Sequence, residues 1–175
     1  RSTLFPYTTL FRSRTAFPHF KSGLVKLANY SREKGWRILG HGHPLIIDEL
    51  TPYYEELGFE IVRNFNDVMS MADVYICDNS STLYEFASTD RPVVVLNAPW
   101  YRREVEHGLR FWEHADVGVN CDSPEDLIPA IEEALKDSEE QKKLRRKSVQ
   151  AVYEVTDGTA SKKAAKAIID FLKSK

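Results

Sequence analysis

The 175 residues suffice for about one domain, and 42% hydrophobic with 29% charged residues is an ordinary globular balance. That composition excludes a disordered tail, a collagen-like chain and a disulfide scaffold, since Cys77 and Cys121 are the two cysteines. A net charge of −2 argues against a dedicated nucleic-acid binder, and no apolar run approaches the ~20 residues of a membrane span.

Residues Thr3 to Ser13 read TLFPYTTLFRS, the codon-for-codon translation of a common sequencing-adapter oligonucleotide. A signal peptide would carry a longer apolar run and a small-residue cleavage site. Residues 1–13 are therefore set aside as an adapter-derived artefact. The natural chain is expected to start mid-protein near Arg14, as a C-terminal fragment. Without Arg1 and Arg12, 22 basic face 26 acidic residues, a net of −4. The distribution is uneven: residues 136–175 carry 11 basic and 6 acidic, residues 14–135 carry 11 and 20. The basic end suits contact with anionic lipid or an anionic substrate, although such a face is more often simply solvated.

From residue 20 onward helix and strand patterns alternate. Lys21 to Lys34 carries apolar residues at Leu24, Leu27, Ala28 and Tyr30, which suits an amphipathic helix, and Gly35 ends it. Trp36 to Gly40 reads as a strand, followed by the loop His41-Gly42-His43-Pro44. Leu45 to Leu57 reads as a helix, Phe59 to Val62 as a strand, and Asn66 to Met71 as a short helix capped by Asn64 or Asn66. Val74 to Cys77 is an apolar run suited to a buried parallel strand, then Asp78-Asn79-Ser80-Ser81 opens a helix from Thr82 to about Ser88. Pro92 to Leu96 is the clearest strand. Tyr101 to His114 reads as one or two short helices, and Val117 to Val119 as a last strand. Ser123 is expected to cap a helix running to about Leu135, with Pro124 at its first position. Helices over Ser138–Val152 and Gly158–Leu172 finish the chain. Strands separated by helices predict an α/β fold, one doubly wound, Rossmann-like parallel sheet over residues 14–175 with a helical C-terminal end.

In such sheets ligands sit beyond the carboxyl ends of strands, where two loops of unusual chemistry fall. Asp78-Asn79-Ser80-Ser81 follows a strand and starts a helix, a place suited to an anion; the bland reading is that one serine only caps the helix. Neither a Walker lysine nor the G-x-G-x-x-G glycines are present. Glu85, four residues after Ser81, could accept ribose hydroxyls or simply be an exposed helix glutamate. His41 and His43 flank Gly42, which allows close backbone approach, and precede the stiffening Pro44. Either histidine could bond a phosphate or move a proton. No acidic or cysteine partner stands near enough in sequence to suggest zinc. Arg102, Arg103, His107 and Arg110 form a cationic cluster that could pair with phosphate or be a solvated face. Trp100, Tyr101, Phe111 and Trp112 read as packing residues, and Cys77 as structural.

The stretch MADVYICDNSSTLYEFASTDRPVVVLN resembles the CDP-glycerol glycerophosphotransferase family of teichoic acid polymerases. The likeness rests on Ala72-Asp73, Asp78-Asn79-Ser80-Ser81, Glu85 and Arg91-Pro92-Val93. His43-Pro44 and Asp157-Gly158-Thr159-Ala160-Ser161 add to it, so it covers roughly residues 36–172. The chain departs from the family pattern at Asn79, where an aromatic residue is usual, and at His107-Gly108, where Arg-Gly is usual. The resemblance implies the C-terminal, donor-binding half of a two-domain enzyme of GT-B type that moves glycerol phosphate from CDP-glycerol to a lipid-linked or glycan acceptor. It implies that Ser80 and Ser81 hold the donor phosphates, that Glu85 lies near the ribose, and that His43 assists the leaving pyrophosphate or the transfer. His41, Asp78, Thr82, Arg102 and Arg103 complete the expected donor-binding set. The nucleotide-activated donor is then a substrate, with no cofactor or metal expected, and nucleic acid is not an expected partner. The missing N-terminal domain would supply the acceptor site, leaving this fragment inactive alone. A cytoplasmic location follows, with peripheral contact at the inner face of the membrane left open by the basic end. Glycosyltransferases using UDP- or other nucleotide sugars share the architecture. UDP-N-acetylglucosamine 2-epimerases carry Ser-Gly-Gly where Ser80-Ser81-Thr82 stand. A receiver domain phosphorylated on Asp78 would want an acidic pair and a lysine that Gly40–His43 and Asn97–Pro99 do not supply.

Overall fold

The structure is a computed structural model and describes residues 15–78, 80–99 and 117–175. Seven helices and five strands follow in chain order among them: α1 (Phe17–Lys34), β1 (Leu39–Gly40), α2 (Ile47–Glu56), β2 (Glu60–Ile61), α3 (Phe65–Met71), β3 (Tyr75–Cys77), α4 (Thr82–Ala87), β4 (Val93–Leu96), β5 (Val119–Cys121), α5 (Leu127–Lys136), α6 (Glu139–Val152) and α7 (Ala160–Lys173). All strand pairings are parallel: β1 with β2, and β3–β4–β5 in that order. This is the expected α/β, Rossmann-like arrangement. Its hydrogen-bonded strands form two groups, yet Ile38 just before β1 packs on the same apolar layer as Ile76 and Val94.

The sheet is covered on both faces, and β4 shows why. Its residues Val93, Val94 and Val95 are all fully buried, and alternation along a strand sends neighbours to opposite sides. Val94 joins Phe20, Leu27, Leu127 and Ile131 from α1 and α5. Val93 and Val95 join Leu83, Phe86 and Val149 from α4 and α6. Each fully buried Val or Leu contributes about 1.5–3 kcal/mol of transfer free energy, so these two layers dominate the folding free energy.

Several ends differ from the sequence expectation for local reasons. α1 begins four residues before Lys21, because Pro18 suits a first turn and a distant carboxylate caps it. At its other end Gly35 takes φ 69°, and Trp36 N–H donates to the Ser31 carbonyl at 2.8 Å. The last strand lies two residues later than Val117–Val119. A side chain at Gly118 would meet the Val93 carbonyl oxygen at 2.0 Å, so the chain runs past β4 there as bare backbone before pairing. α5 begins at Leu127 rather than at Pro124, because Ser123 Oγ bonds the Asp126 carboxylate at 2.6 Å and residues 123–126 form a separate turn. Asn64 caps α3 and Ser138 caps α6, both through backbone N–H groups.

Two of the sequence motifs have structural work to do. Arg91 donates to the Ala72 carbonyl at 2.6 Å and to the Met69 carbonyl, closing the last turn of α3, while its guanidinium lies over the Phe86 ring. Asp157 accepts from Thr159 N–H at 2.9 Å and from its hydroxyl at 2.5 Å, with Gly158 at φ 75°, which turns the chain into α7. Those two bonds hold the Asp157 carboxyl below its ordinary value.

Candidate functional site

The carboxyl ends of β1 and β3 carry the two loops singled out by sequence. Aromatic contacts join them. Tyr54 on α2 donates its hydroxyl to the His41 carbonyl at 3.3 Å, and its ring lies 6.0 Å from Phe17 at the start of α1. The next residue back, Ala16, donates its N–H to Asp78. A second path runs from His41 to Phe65 at 5.6 Å, then to Tyr75 at 5.5 Å, whose hydroxyl bonds Thr82 Oγ1 at 3.0 Å. The His41 loop and the Ser80 loop therefore share one edge of the molecule and are tied together by Tyr54, Phe65 and Tyr75.

The two histidines differ in proton placement. His41 Nδ1 lies 2.7 Å from the Val62 carbonyl, which can only accept, so Nδ1 carries the proton and the neutral ring leaves Nε2 as an acceptor. His43 is exposed, and its Nδ1 accepts from Leu45 N–H at 3.2 Å. Its neutral ring therefore carries the proton on Nε2 and presents a hydrogen-bond donor. The same loop, with a glycine between, thus offers opposite chemistry at its two ring nitrogens.

Asp78 is committed to the fold. Its Oδ2 accepts from Thr15 Oγ1 and from Ala16 N, both at 2.7 Å, and so caps the 18-residue α1 across 62 positions of sequence. Burial raises its carboxyl above the ordinary value, opposed by those same two bonds. The neighbours respond to the same enclosure: the Tyr54 hydroxyl is pushed up to about 12 by burial and then by Asp78, while Tyr75 and Cys77 are raised chiefly by burial. Cys77 is buried and bound to no partner by a disulfide, as a structural cysteine should be.

Ser80 Oγ bonds Thr82 Oγ1 at 2.8 Å and lies 3.4 Å from Thr82 N, so Ser80, Thr82 and Tyr75 form one hydroxyl chain. Ser81 occupies the cap position of α4 without a side-chain cap bond, and it is exposed. Glu85 is exposed in the first turn of α4 and faces Tyr153. The structure therefore brings His41, His43, Asp78, Ser80, Ser81 and Thr82 to one edge. Arg102 and Arg103, like Asn79, His107 and Arg110, lie outside the described residues. No group of three or more His, Cys, Asp or Glu side chains is placed to hold a metal among the described residues.

Tyr54 and Thr15 were missed by sequence reading. The signal for Tyr54 was Gly40: a Cβ there would stand 2.6 Å from Tyr54 Cδ2, whereas at Gly42 it would meet the movable Leu50 Cδ1 at 3.1 Å. Gly40, not Gly42, is the close approach. Gly40→Ala is expected to displace Tyr54, free the His41 carbonyl and lower stability by about 1–3 kcal/mol, read by urea denaturation.

A family model matches residues 7–170, and its description is CDP-glycerol:poly(glycerophosphate) glycerophosphotransferase. The chain belongs to that family. Comparison with the curated proteins and with the solved structures found no match. The glycerophosphotransferase family is a transferase family, and in this member His43 and Ser81 are exposed beyond β1 and β3. No helix among the described residues of this glycerophosphotransferase-family chain is long and apolar enough to cross a membrane.

Proposed function

We propose that this chain binds CDP-glycerol across the His41–Pro44 and Asp78–Thr82 loops, as the donor-binding half of a GT-B-type transferase. What supports the reading is the family match together with the joining of both loops on one edge through Tyr54, Phe65 and Tyr75. In the reaction a hydroxyl oxygen of the acceptor attacks the phosphorus that carries glycerol. The bond from that phosphorus to the bridging oxygen breaks, CMP leaves, and the hydroxyl proton passes to a base or to solvent. The leaving group is thus CMP rather than a pyrophosphate.

His43 suits the departure step. Its Nε2–H can donate to the phosphate oxygens on which charge gathers as CMP leaves, which is worth more in the transition state than in the ground state. Ser81 offers an exposed hydroxyl for a phosphate oxygen, and Ser80 with Thr82 shapes the turn beside it. Arg102 and Arg103 would add charge, and Glu85 would take the ribose hydroxyls. Asp78 contributes by fixing α1 against this loop rather than by touching the donor. The acceptor would be lipid-linked or a glycan, held by an opposing domain that also excludes water.

Calorimetric titration of the chain with CDP-glycerol and with UDP-sugars tests the reading. CDP-glycerol is expected to bind more tightly. Ser80→Ala with Ser81→Ala should weaken that binding by about 1–3 kcal/mol. Tighter binding of a UDP-sugar would move the chain to the nucleotide-sugar transferases, and unchanged affinity in the double variant would leave the serines as helix-start residues only.

A further inference from the structure

β4 ends at Leu96 and β5 at Cys121, so Asn97 and Asp122 are the first residues beyond the two strands. Leu96 is level with Cys121, and Val95 with Cys77, which stands Asn97 between Asp122 and the chain that leaves β3 as Asp78. Neighbouring strands are about 4.8 Å apart, so this corner stands beside the Asp78–Thr82 loop. It also lies on the face of the sheet that α4 covers. Val94 and Ala98 pack in the layer with α1 and α5, so alternation turns Asn97 to the other side. Val119 and Cys121 pack in that same layer, which turns Asn120 and Asp122 toward α4 as well.

The bonds decide which way the Asn97 amide faces. Its Nδ2 lies 2.6 Å from Asp122 Oδ1 and 3.3 Å from Asn120 Oδ1. A carboxylate oxygen only accepts, so the amino end of the side chain faces β5 and uses both its hydrogens there. The backbone is pinned too. Asn97 N–H donates to the Cys121 carbonyl at 2.8 Å, and His19 Nε2 donates to the Asp122 carbonyl at 3.1 Å. Asn97 is half-buried, and its Oδ1 accepts no bond among the described residues. An oxygen held this way is met only by a donor, a hydroxyl or an amino group. A phosphate brings acceptors, and it would face the Asp122 carboxylate as a like charge. The hydrogens a phosphate needs are offered at the other end of this edge, by Ser81 and His43 Nε2–H.

We propose that Asn97 selects what the donor site holds: its Oδ1 accepts a hydrogen from a hydroxyl or amino group of the bound nucleotide, and Asp122 is the positioning residue that keeps the amide from turning over. This rests on the CDP-glycerol reading. With the ribose left to Glu85, two groups of that donor carry such hydrogens, the free glycerol hydroxyls and the exocyclic amine of cytosine. Uracil has a carbonyl where cytosine has the amine, and that oxygen against Asn97 Oδ1 would leave both unpaired.

The test is calorimetric titration of the parent, Asn97→Ala and Asp122→Asn with CDP-glycerol, UDP-glycerol, CMP and UMP. Asn97→Ala is expected to weaken CDP-glycerol about fivefold, the loss of one neutral hydrogen bond. If the amine is the partner, the parent prefers CMP to UMP and the variant loses that preference. If a glycerol hydroxyl is the partner, the two glycerol-bearing ligands weaken alike, and CMP and UMP do not. Asp122→Asn lets a second amino group face Asn97 Oδ1, so it should shrink the same difference between ligands by roughly threefold. It should also keep the parent's melting curve, because the exposed Asp122 side chain hydrogen-bonds only Asn97 among the described residues. Equal weakening of all four ligands by Asn97→Ala, or of none, overturns the proposal. So does an Asp122→Asn protein that discriminates as the parent does. CDP-glycerol bound by the parent and unchanged in both variants removes this proposal alone, whereas a parent that binds none of the four ligands removes the donor reading with it.

Discussion

Arg145→Ala is expected to cost about 3–4 kcal/mol of folding stability, the largest loss among single substitutions considered for this chain. Arg145 on α6 is 1% exposed. Its guanidinium donates to Asp137 Oδ1 at 2.9 Å, to the Asp90 carbonyl at 2.6 Å and to Asp90 Oδ1 at 3.2 Å. Its Nε is buried with no partner among the described residues. Both carboxylates belong to residues with positive φ, 61° at Asp90 and 45° at Asp137, where a side chain is strained. One buried cation thus secures the turn before β4 and the turn between α5 and α6. Its removal takes from Asp137 its closest cation and from Asp90 one of two, each carboxylate being partly wetted, and empties the space of the arginine stem. Arg146, bonded to Asp90 Oδ2 at 2.5 Å but largely in solvent, cannot substitute. Urea denaturation of the two proteins at neutral pH measures the difference, and a loss below 1 kcal/mol would mean that the charge cluster is not what holds those turns. Arg146 chiefly, with Arg145 behind it, keeps the Asp90 carboxyl below its ordinary value. That contribution is present above 3.8 and is lost as pH falls through the lowered value, so acid should narrow the gap between parent and variant.

Asp78→Ala is expected to cost about 2–3 kcal/mol, because Ala16 N–H and the Thr15 hydroxyl lose one acceptor together and α1 loses its cap. Asp78→Asn keeps an acceptor and separates charge from geometry. Here the sign is opposite to Asp90. The folded carboxyl is raised, so the native state holds this proton more tightly than the unfolded chain does. The contribution of Asp78 to stability is therefore fullest below its ordinary value of 3.8 and is lost as pH rises through the raised one. Parent minus Asp78→Asn, measured by denaturation across the acid range, should shrink with rising pH and then flatten. A difference that grows instead would show that the two hydrogen bonds outweigh burial.

How much of this was legible in the residues follows from range. β4, buried on both sides, announced itself as an unbroken valine run, and the alternation of strands and helices announced the fold class. The cap that Asn64 supplies within a few positions was readable for the same reason. Ends set from afar were not: Asp78 capping α1, and the Val93 carbonyl forbidding a side chain at Gly118, depend on residues brought close only by folding. The site divides in the same way. Ser80, Ser81, His41 and His43 stand out by type and position in their loops. Tyr54 does not, since a tyrosine on an amphipathic helix looks like any packing residue until its hydroxyl is found on the His41 carbonyl. Arg91 and Asp78 each also have a structural task that local sequence does not show, Arg91 closing the end of α3 and Asp78 holding the start of α1.

The alternation of Val93, Val94 and Val95 has a consequence for how the molecule fails. One strand is the shared wall of two apolar compartments, and each valine is seated in the compartment its neighbours are not. Slippage by a single position would turn every one of them to the wrong side, and loosening either compartment would withdraw the support the other leans on. Melting of one side is therefore expected to carry the other with it.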